Sequence, residues 1–132
     1  MEQTTLIERP LALLDMRVLL LEDDALISID TEDMLLSLGV RQVLVAHTIE
    51  EARVLVEREA VDAAVLDLII GRERCEDFAI LLAARGVPIV FASGMRDTAG
   101  LPEALREVPT VDKPCTAQAL HAALSRAIGL AG

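Results

Sequence analysis

Short, continuously apolar runs recur along the chain, separated by polar or amphipathic stretches. Five of these runs are predicted to be β-strands, at residues 17–21, 42–46, 62–66, 88–92 and 108–111. They lack the alternation of apolar and polar residues that a half-exposed strand shows, so both faces of each strand are expected to be covered. This pattern is typical of a parallel sheet with helices on both sides.

The stretches between the predicted strands have apolar residues at helical spacing. The first helix is expected to bury Ile27, Met34, Leu35 and Leu38. The fourth predicted helix, around residues 102–106, is short and weakly patterned. Five strands alternating with five helices predict an α/β fold with a doubly wound, five-stranded parallel sheet.

A length of 132 residues suits one domain with a real core. Residues 1–15 show no clear periodicity and are predicted to be an N-terminal extension. The folded domain is therefore expected to span residues 16–132.

The charge and the cysteine usage narrow the function classes. A net charge of −10 argues against direct binding to nucleic acid or to an anionic membrane surface. Cys75 and Cys115 have no CxxC spacing, which suggests neither a disulfide framework nor a zinc site. His47 and His121 have no ligand partners at useful spacing and are predicted to be surface or boundary residues.

No run reaches transmembrane length and the N-terminus lacks a basic signal-peptide start, so a cytoplasmic protein is expected.

Chemically competent side chains follow four of the predicted strands. Glu22 and Asp23 follow the first strand, Asp67 the third, Ser93 the fourth and Lys113 the fifth. In a parallel sheet these positions share one edge, where ligands of open α/β sheets bind. Each residue taken alone has an ordinary explanation, because a strand-end Asp usually begins a turn and acidic residues usually cap the next helix. Their combination instead indicates a common site.

This combination suits phosphoryl transfer. Carboxylates are ligands that Mg²⁺ prefers, and an Asp oxygen can attack phosphorus to form an acyl phosphate. Phosphoryl transfer depends mainly on positioning and on neutralisation of charge. Mg²⁺, Lys113 and the Ser93 hydroxyl would supply that neutralisation around the phosphoryl oxygens.

From residue 17 to residue 129, the sequence resembles the receiver domain of two-component response regulators. The resemblance rests on four motifs that each follow a strand: Leu21-Glu22-Asp23-Asp24, Leu66-Asp67, Ala92-Ser93-Gly94 and Lys113-Pro114. It implies a flavodoxin-like receiver fold in which Asp67 accepts a phosphoryl group from a histidine kinase or a histidine phosphotransfer protein.

The same resemblance implies roles for the neighbouring residues. Ser93 and Lys113 would contact the phosphoryl group, and the Lys113–Pro114 peptide bond would be cis, which is rare for X-Pro bonds. The implied Mg²⁺ ligands are Glu22, Asp23, Asp67 and the backbone carbonyl of Ile69.

Two positions depart from the family pattern. Thr110 stands at the switch position, three residues before the lysine, where the family usually has Tyr or Phe. Gly71 stands where the loop after the acceptor often carries Pro. Neither departure touches the phosphorylation chemistry, but both bear on how a signal would leave the site.

The leading prediction is a single-domain response regulator without an output domain. It would be a signalling domain rather than an enzyme, with at most self-phosphorylation and slow self-dephosphorylation. It would act through phosphorylation-dependent contact with a downstream protein or as a phosphate sink. The alternative is a receiver-fold interaction module that is not phosphorylated.

Two other protein classes fit the sequence less well. A phosphohydrolase of the haloacid dehalogenase type needs a second Asp two residues after the nucleophile as general acid–base, and Ile69 stands there. A flavin binder is disfavoured because no Ser/Thr-rich phosphate loop follows the first strand and the chain contains no Trp or Tyr.

Overall fold

A five-stranded parallel sheet forms the centre of the molecule, as predicted. The structure is a computed structural model, and it describes residue 13, residues 15–93, residue 98 and residues 100–131. In spatial order, the strands of the sheet are β2 (Gln42–Ala46), β1 (Arg17–Leu21), β3 (Ala63–Leu66), β6 (Ile89–Ala92) and β7 (Thr110–Val111).

Helices cover both faces of this sheet, so the fold class is confirmed. Successive residues of β1 point to opposite faces, which places Leu19 and Leu21 in one buried cluster and Val18 and Leu20 in the other. Helices α2 (Ile49–Arg58) and α3 (Glu76–Ala84) contribute to the first cluster. Helices α1 (Ala25–Ser37) and α4 (Ala117–Ala131) contribute to the second.

The strand register brings the carboxyl ends of four strands to one edge. Leu21 pairs with Leu66, and Leu66 pairs with Phe91. On the next strand, Ala92 pairs with Val111. Whatever follows these residues in the sequence is therefore gathered along a single line at this edge.

The prediction of five helices was wrong in one place. The part of the chain that the structure describes contains four α-helices, and the fourth predicted helix is a 3-10 helix at Glu103–Leu105. Pro102 precedes it, no side chain caps it, and Pro109 follows soon after. So short a segment cannot offset the cost of nucleating an α-helix. Residues 94–97 and 99 lie outside the described residues.

A β-hairpin after β3 was not predicted. The polar loop expected at residues 71–74 is instead part of an antiparallel pair, β4 (Ile69–Ile70) with β5 (Glu73–Arg74). Gly71 has φ +62°, and Arg72 has a negative φ. These angles suit a two-residue II′ turn, which requires Gly at its first central position. A run this short carries too few residues for its period to be read from the sequence.

The folded core reaches back into the predicted N-terminal extension. Leu13 is buried in the same cluster as Val18 and Leu124. Residues 1–12 and 14 lie outside the described residues. Within the described residues, no helix has the length and apolar character needed to cross a membrane.

Candidate phosphoacceptor site

The acidic loop after β1 divides its carboxylates between two tasks. The Asp24 side chain caps α1, because its Oδ1 accepts the amides of Leu26 at 2.9 Å and Ile27 at 3.0 Å. The Glu22 amide donates to the Ala46 carbonyl at 3.0 Å and continues the ladder between β1 and β2. The carboxylates of Glu22 and Asp23 are not needed for the cap and remain available for a site.

Asp67 is the buried carboxylate at the centre of this site. It follows β3 directly, and only 7% of its surface is exposed. Its Oδ1 accepts the Ser93 hydroxyl at 3.2 Å and the Ile69 amide at 3.3 Å. Its Oδ2 accepts Lys113 Nζ at 2.8 Å. A buried carboxylate is costly without such partners, and Asp67 has three.

The Ser93 hydroxyl is held in a defined orientation. It accepts the Leu68 amide at 2.9 Å, so its own hydrogen points to Asp67. Ser93 is 1% exposed, which leaves it few alternative partners. Ser93 therefore provides a hydroxyl donor with a fixed orientation beside the Asp67 carboxylate.

Lys113 joins the two buried carboxylates of the site. Its Nζ lies 2.9 Å from Glu22 Oε1 and 2.8 Å from Asp67 Oδ2. Burial lowers the pKa of Lys113, but the bonds and charges of Asp67 and Glu22 outweigh it, so the pKa is raised above its ordinary value. Lys113 is therefore a cation at neutral pH. The predicted cis bond between Lys113 and Pro114 is confirmed.

Glu22 is strained electrostatically despite this cation. Burial raises the pKa of Glu22, and the charge of Asp67 raises it further. The bonds from Lys113 and from the Asp24 amide oppose the rise without cancelling it. A further positive charge at this position would relieve the crowding.

Three carboxylates are arranged to receive such a charge. Oxygen atoms of Glu22, Asp23 and Asp67 lie within 4.8 Å of one another. Asp23 is exposed, and its Oδ2 accepts the Gly71 amide at 2.8 Å, which directs it across the pocket. This all-oxygen donor set fits a hard cation such as Mg²⁺, which needs only a few carboxylates. These residues would hold the metal, while the role of the Ile69 carbonyl stays a prediction.

Thr110 is exposed on β7, and its hydroxyl donates to the Val108 carbonyl at 3.4 Å. Its role as the switch position stays a prediction.

Two further residues contact the site and were missed by sequence reasoning. His47 Nδ1 lies 3.0 Å from the Glu22 carbonyl oxygen, and Cys75 Sγ donates to the Asp67 carbonyl oxygen at 3.1 Å. The position of His47 near the site could have been predicted from the strand pattern, because His47 directly follows β2, the neighbour of β1. The position of Cys75 could not have been predicted in this way, since it depends on the unpredicted hairpin. Cys75 and Cys115 form no disulfide in the described structure.

Solved structures with the same fold span most of this chain. SdrG from Sphingomonas melonis Fr1 is 35% identical over 89% of this chain and 98% of its own, with a TM-score of 0.75. The receiver domain of the PhyR response regulator from Erythrobacter litoralis is 26% identical over 87% of this chain and 91% of its own, with a TM-score of 0.72. A response regulator receiver protein from Sinorhizobium medicae WSM419 has a TM-score of 0.77 at 22% identity, over 89% of this chain and 98% of its own.

No protein-family model matches the chain, and no curated protein does. The similarity to SdrG covers 89% of this chain and 98% of the other at 35% identity, and the receiver domains of response regulators named above share the fold. This chain belongs to the receiver domains of response regulators.

Proposed function

We propose that Asp67 accepts a phosphoryl group from a histidine kinase or a histidine phosphotransfer protein, in a reaction that depends on Mg²⁺. One observation carries the proposal: the Asp67 carboxylate is bonded by both Ser93 and Lys113 in the pocket that it shares with Glu22 and Asp23. A structural Asp at the end of a strand needs one partner, not a hydroxyl, a lysine and two further carboxylates.

The transfer forms one bond and breaks one. A carboxylate oxygen of Asp67 attacks phosphorus and forms the O–P bond of an acyl phosphate. The N–P bond of the donor phosphohistidine breaks, and its electron pair stays on the imidazole nitrogen, which takes up a proton. Asp67 is suited to this attack because its two oxygens are oriented by separate partners, Ser93 at Oδ1 and Lys113 at Oδ2.

The same partners serve the phosphoryl group after transfer. The Lys113 ammonium and the Ser93 hydroxyl are the donors nearest to Asp67, so they neutralise the equatorial oxygens that would sit beside it. Mg²⁺ bound between the carboxylates would neutralise further negative charge on the phosphoryl oxygens. Nothing in this set supplies a general acid–base for rapid hydrolysis, so the phosphoryl group is a signal rather than an intermediate in turnover.

The phosphorylated form would then bind a downstream protein, or the domain would serve as a phosphate sink for its kinase. Both outputs need the acyl phosphate and its slow loss by self-dephosphorylation. Binding to a downstream protein also needs a contact that depends on phosphorylation, whereas a phosphate sink needs no such contact.

Phosphorylation is tested by incubating the protein with a small acyl-phosphate donor and Mg²⁺, and locating the adduct by mass spectrometry. We expect one acid-stable, base-labile adduct on Asp67, absent from Asp67→Asn and abolished by excess chelator. Asp62→Asn is the matched control, because Asp62 lies at the opposite end of the same strand, where it accepts the Arg17 amide. Undiminished labelling of Asp67→Asn would overturn the proposal, because the phosphoryl group would then be on another residue. A wild type that is not labelled at all would favour the unphosphorylated interaction module.

A further inference from the structure

His47 donates a hydrogen bond to the backbone of the acidic loop. Its Nδ1 lies 3.0 Å from the Glu22 carbonyl oxygen. A carbonyl oxygen can only accept, so the hydrogen of this bond is on Nδ1. His47 is exposed, and this bond is therefore a specific contact of a surface side chain rather than a result of core packing.

The backbone of His47 is itself held in place. The His47 amide donates to Glu51 Oε1 at 2.8 Å, and the Glu51 amide donates to Thr48 Oγ1 at 3.0 Å. The second of these bonds is the N-terminal cap of α2, and the first joins the residue before that cap to the first turn of the helix. The imidazole thus extends from a capped helix start that does not depend on the site.

The carbonyl that His47 contacts lies between the two acidic residues. The Glu22 carbonyl and the Asp23 amide share one planar peptide unit. The Glu22 amide is already bonded to the Ala46 carbonyl at 3.0 Å, so a second bond at the Glu22 carbonyl fixes the orientation of the next peptide plane. That plane determines where Asp23 leaves the loop relative to Glu22.

We propose that His47 is a positioning residue for the metal-binding carboxylates, a role that rests on the proposed function. Its Nδ1–H holds the peptide plane between Glu22 and Asp23 so that both carboxylates face Asp67. Without this bond, the plane can rotate, and Asp23 spends less time where its oxygen lies within 4.8 Å of the oxygens of Glu22 and Asp67. Partners that orient metal ligands strengthen metal binding in this way.

Two substitutions distinguish the effect of losing the hydrogen bond from the effect of losing the imidazole ring. His47→Leu removes the donor, whereas His47→Asn keeps an N–H donor close to the position of Nδ1. Both are expected to fold because His47 is exposed, and His47→Ala replaces the Leu variant if that one does not melt cooperatively.

The measurement is the rate of Asp67 labelling by a small acyl phosphate over a range of Mg²⁺ concentrations, with Mg²⁺ binding measured separately by calorimetry. In His47→Leu, we expect the half-saturating Mg²⁺ concentration and the Kd to rise about threefold to tenfold, the range of one hydrogen bond. The maximal rate at saturating Mg²⁺ should not change, because Ser93 and Lys113 are untouched. His47→Asn should stay within about twofold of the wild type.

Three results overturn the proposal. The first is an unchanged Kd in His47→Leu, and the second is an equal loss in His47→Asn. The third is a lower maximal rate with the same Mg²⁺ dependence. If the wild type itself neither binds Mg²⁺ nor is labelled, then the proposed function fails as well, which distinguishes that failure from a failure of the role of His47 alone.

Discussion

One lysine shared between two buried carboxylates decides the electrostatics of this site. Glu22 and Asp67 both contact Lys113, and Asp23 adds a third negative group to the pocket. Like charges at such range repel, and burial strengthens the repulsion. Burial is the main cause of the raised pKa of Glu22, and the charge of Asp67 adds to it. The metal-free site is therefore a place where stability is sacrificed for function.

Removing the charge of Glu22 should stabilise the metal-free protein. Because the pKa of Glu22 is higher in the folded chain than in the unfolded chain, its contribution to stability is complete below about pH 4.5 and declines as the pH rises through the folded pKa. Glu22→Gln removes this decline. Near neutral pH we expect a free energy of unfolding higher by about 1 kcal/mol, with no difference at low pH.

Urea unfolding in chelator, from about pH 4 to about pH 8, checks this prediction. Glu107→Gln is the control, since Glu107 is exposed and is not one of the residues of the site. Mg²⁺ should stabilise the wild type by mass action and the Glu22 variant much less. A Glu22→Gln protein that is less stable than the wild type at neutral pH in chelator would refute the charge-crowding argument.

The two cysteines should differ in reactivity. Burial, followed by the charge of Asp67, raises the pKa of the Cys75 thiol to about 12. Burial also raises the pKa of Cys115, but the charge of Lys113 opposes it, and Cys115 is only partly buried. The thiolate is the reactive species. At mildly alkaline pH, iodoacetamide should therefore modify Cys115 first and Cys75 only after unfolding.

Peptide mass spectrometry of the native and the urea-unfolded protein gives the two alkylation rates separately. Equal rates in the native protein would contradict this prediction, because they would require Cys75 to be accessible. Cys75→Ala confirms which peptide carries the slow modification.

At the scale of elements, the β4–β5 hairpin depends on one glycine. Gly71 has φ +62°, and a Cβ built there meets nothing within 4 Å. The penalty for Gly71→Ala is therefore backbone strain alone, about 1 kcal/mol of lost stability. Gly129→Ala is the matched control: Gly129 lies in α4, and a Cβ there also meets nothing within 4 Å.

Gly129→Ala should raise stability by up to about 1 kcal/mol, less if the end of α4 frays. Thermal or urea unfolding of the two variants measures both effects. Two glycines with equally open surroundings should thus respond with opposite signs. A neutral or stabilising Gly71→Ala would show that the hairpin turn is not held in the left-handed region.

The segment between β6 and β7 is the element expected to carry the signal. Thr110 is exposed and too small to fill space vacated near the site. The described part of this segment includes a short 3-10 helix, Glu103–Leu105, and Leu101 and Leu105 anchor it in the core. We predict an order–disorder change or a shift of residues 94–108 as a unit when Asp67 is phosphorylated.

Hydrogen exchange with and without beryllofluoride, a phosphoryl mimic, tests this prediction. Protection across residues 94–108 should change in the wild type, and Thr110→Ala should keep both the labelling and the change. Unchanged protection in the wild type, or loss of the change in Thr110→Ala, would show that the signal travels by another path.

At the scale of the whole molecule, the sheet places the site and the helices bury its two faces. The parallel ladders of β1, β3, β6 and β7 bring four strand ends into line. Acceptor, hydroxyl, lysine and acidic pair therefore meet although they are spread from residue 22 to residue 113.

The sequence by itself predicted the sheet, the order of its five strands and the strand-end side chains that the structure brings together. Fully buried strands leave a continuous apolar signal, and the residue after each strand must lie at the carboxyl edge. That reasoning was enough to gather Glu22, Asp67, Ser93 and Lys113. It could not predict the hairpin or the 3-10 helix, because segments this short have no measurable period.

Only the tertiary structure decided which atoms meet. The bond from Lys113 to Glu22 joins residues 91 positions apart, and that from His47 to Glu22 joins residues 25 positions apart. Such contacts depend on strand register and on the path of each loop, which local propensity does not encode. The sequence therefore named the chemical groups of the site, while packing decided that one lysine is shared, that one histidine contacts the acidic loop, and that Thr110 is exposed.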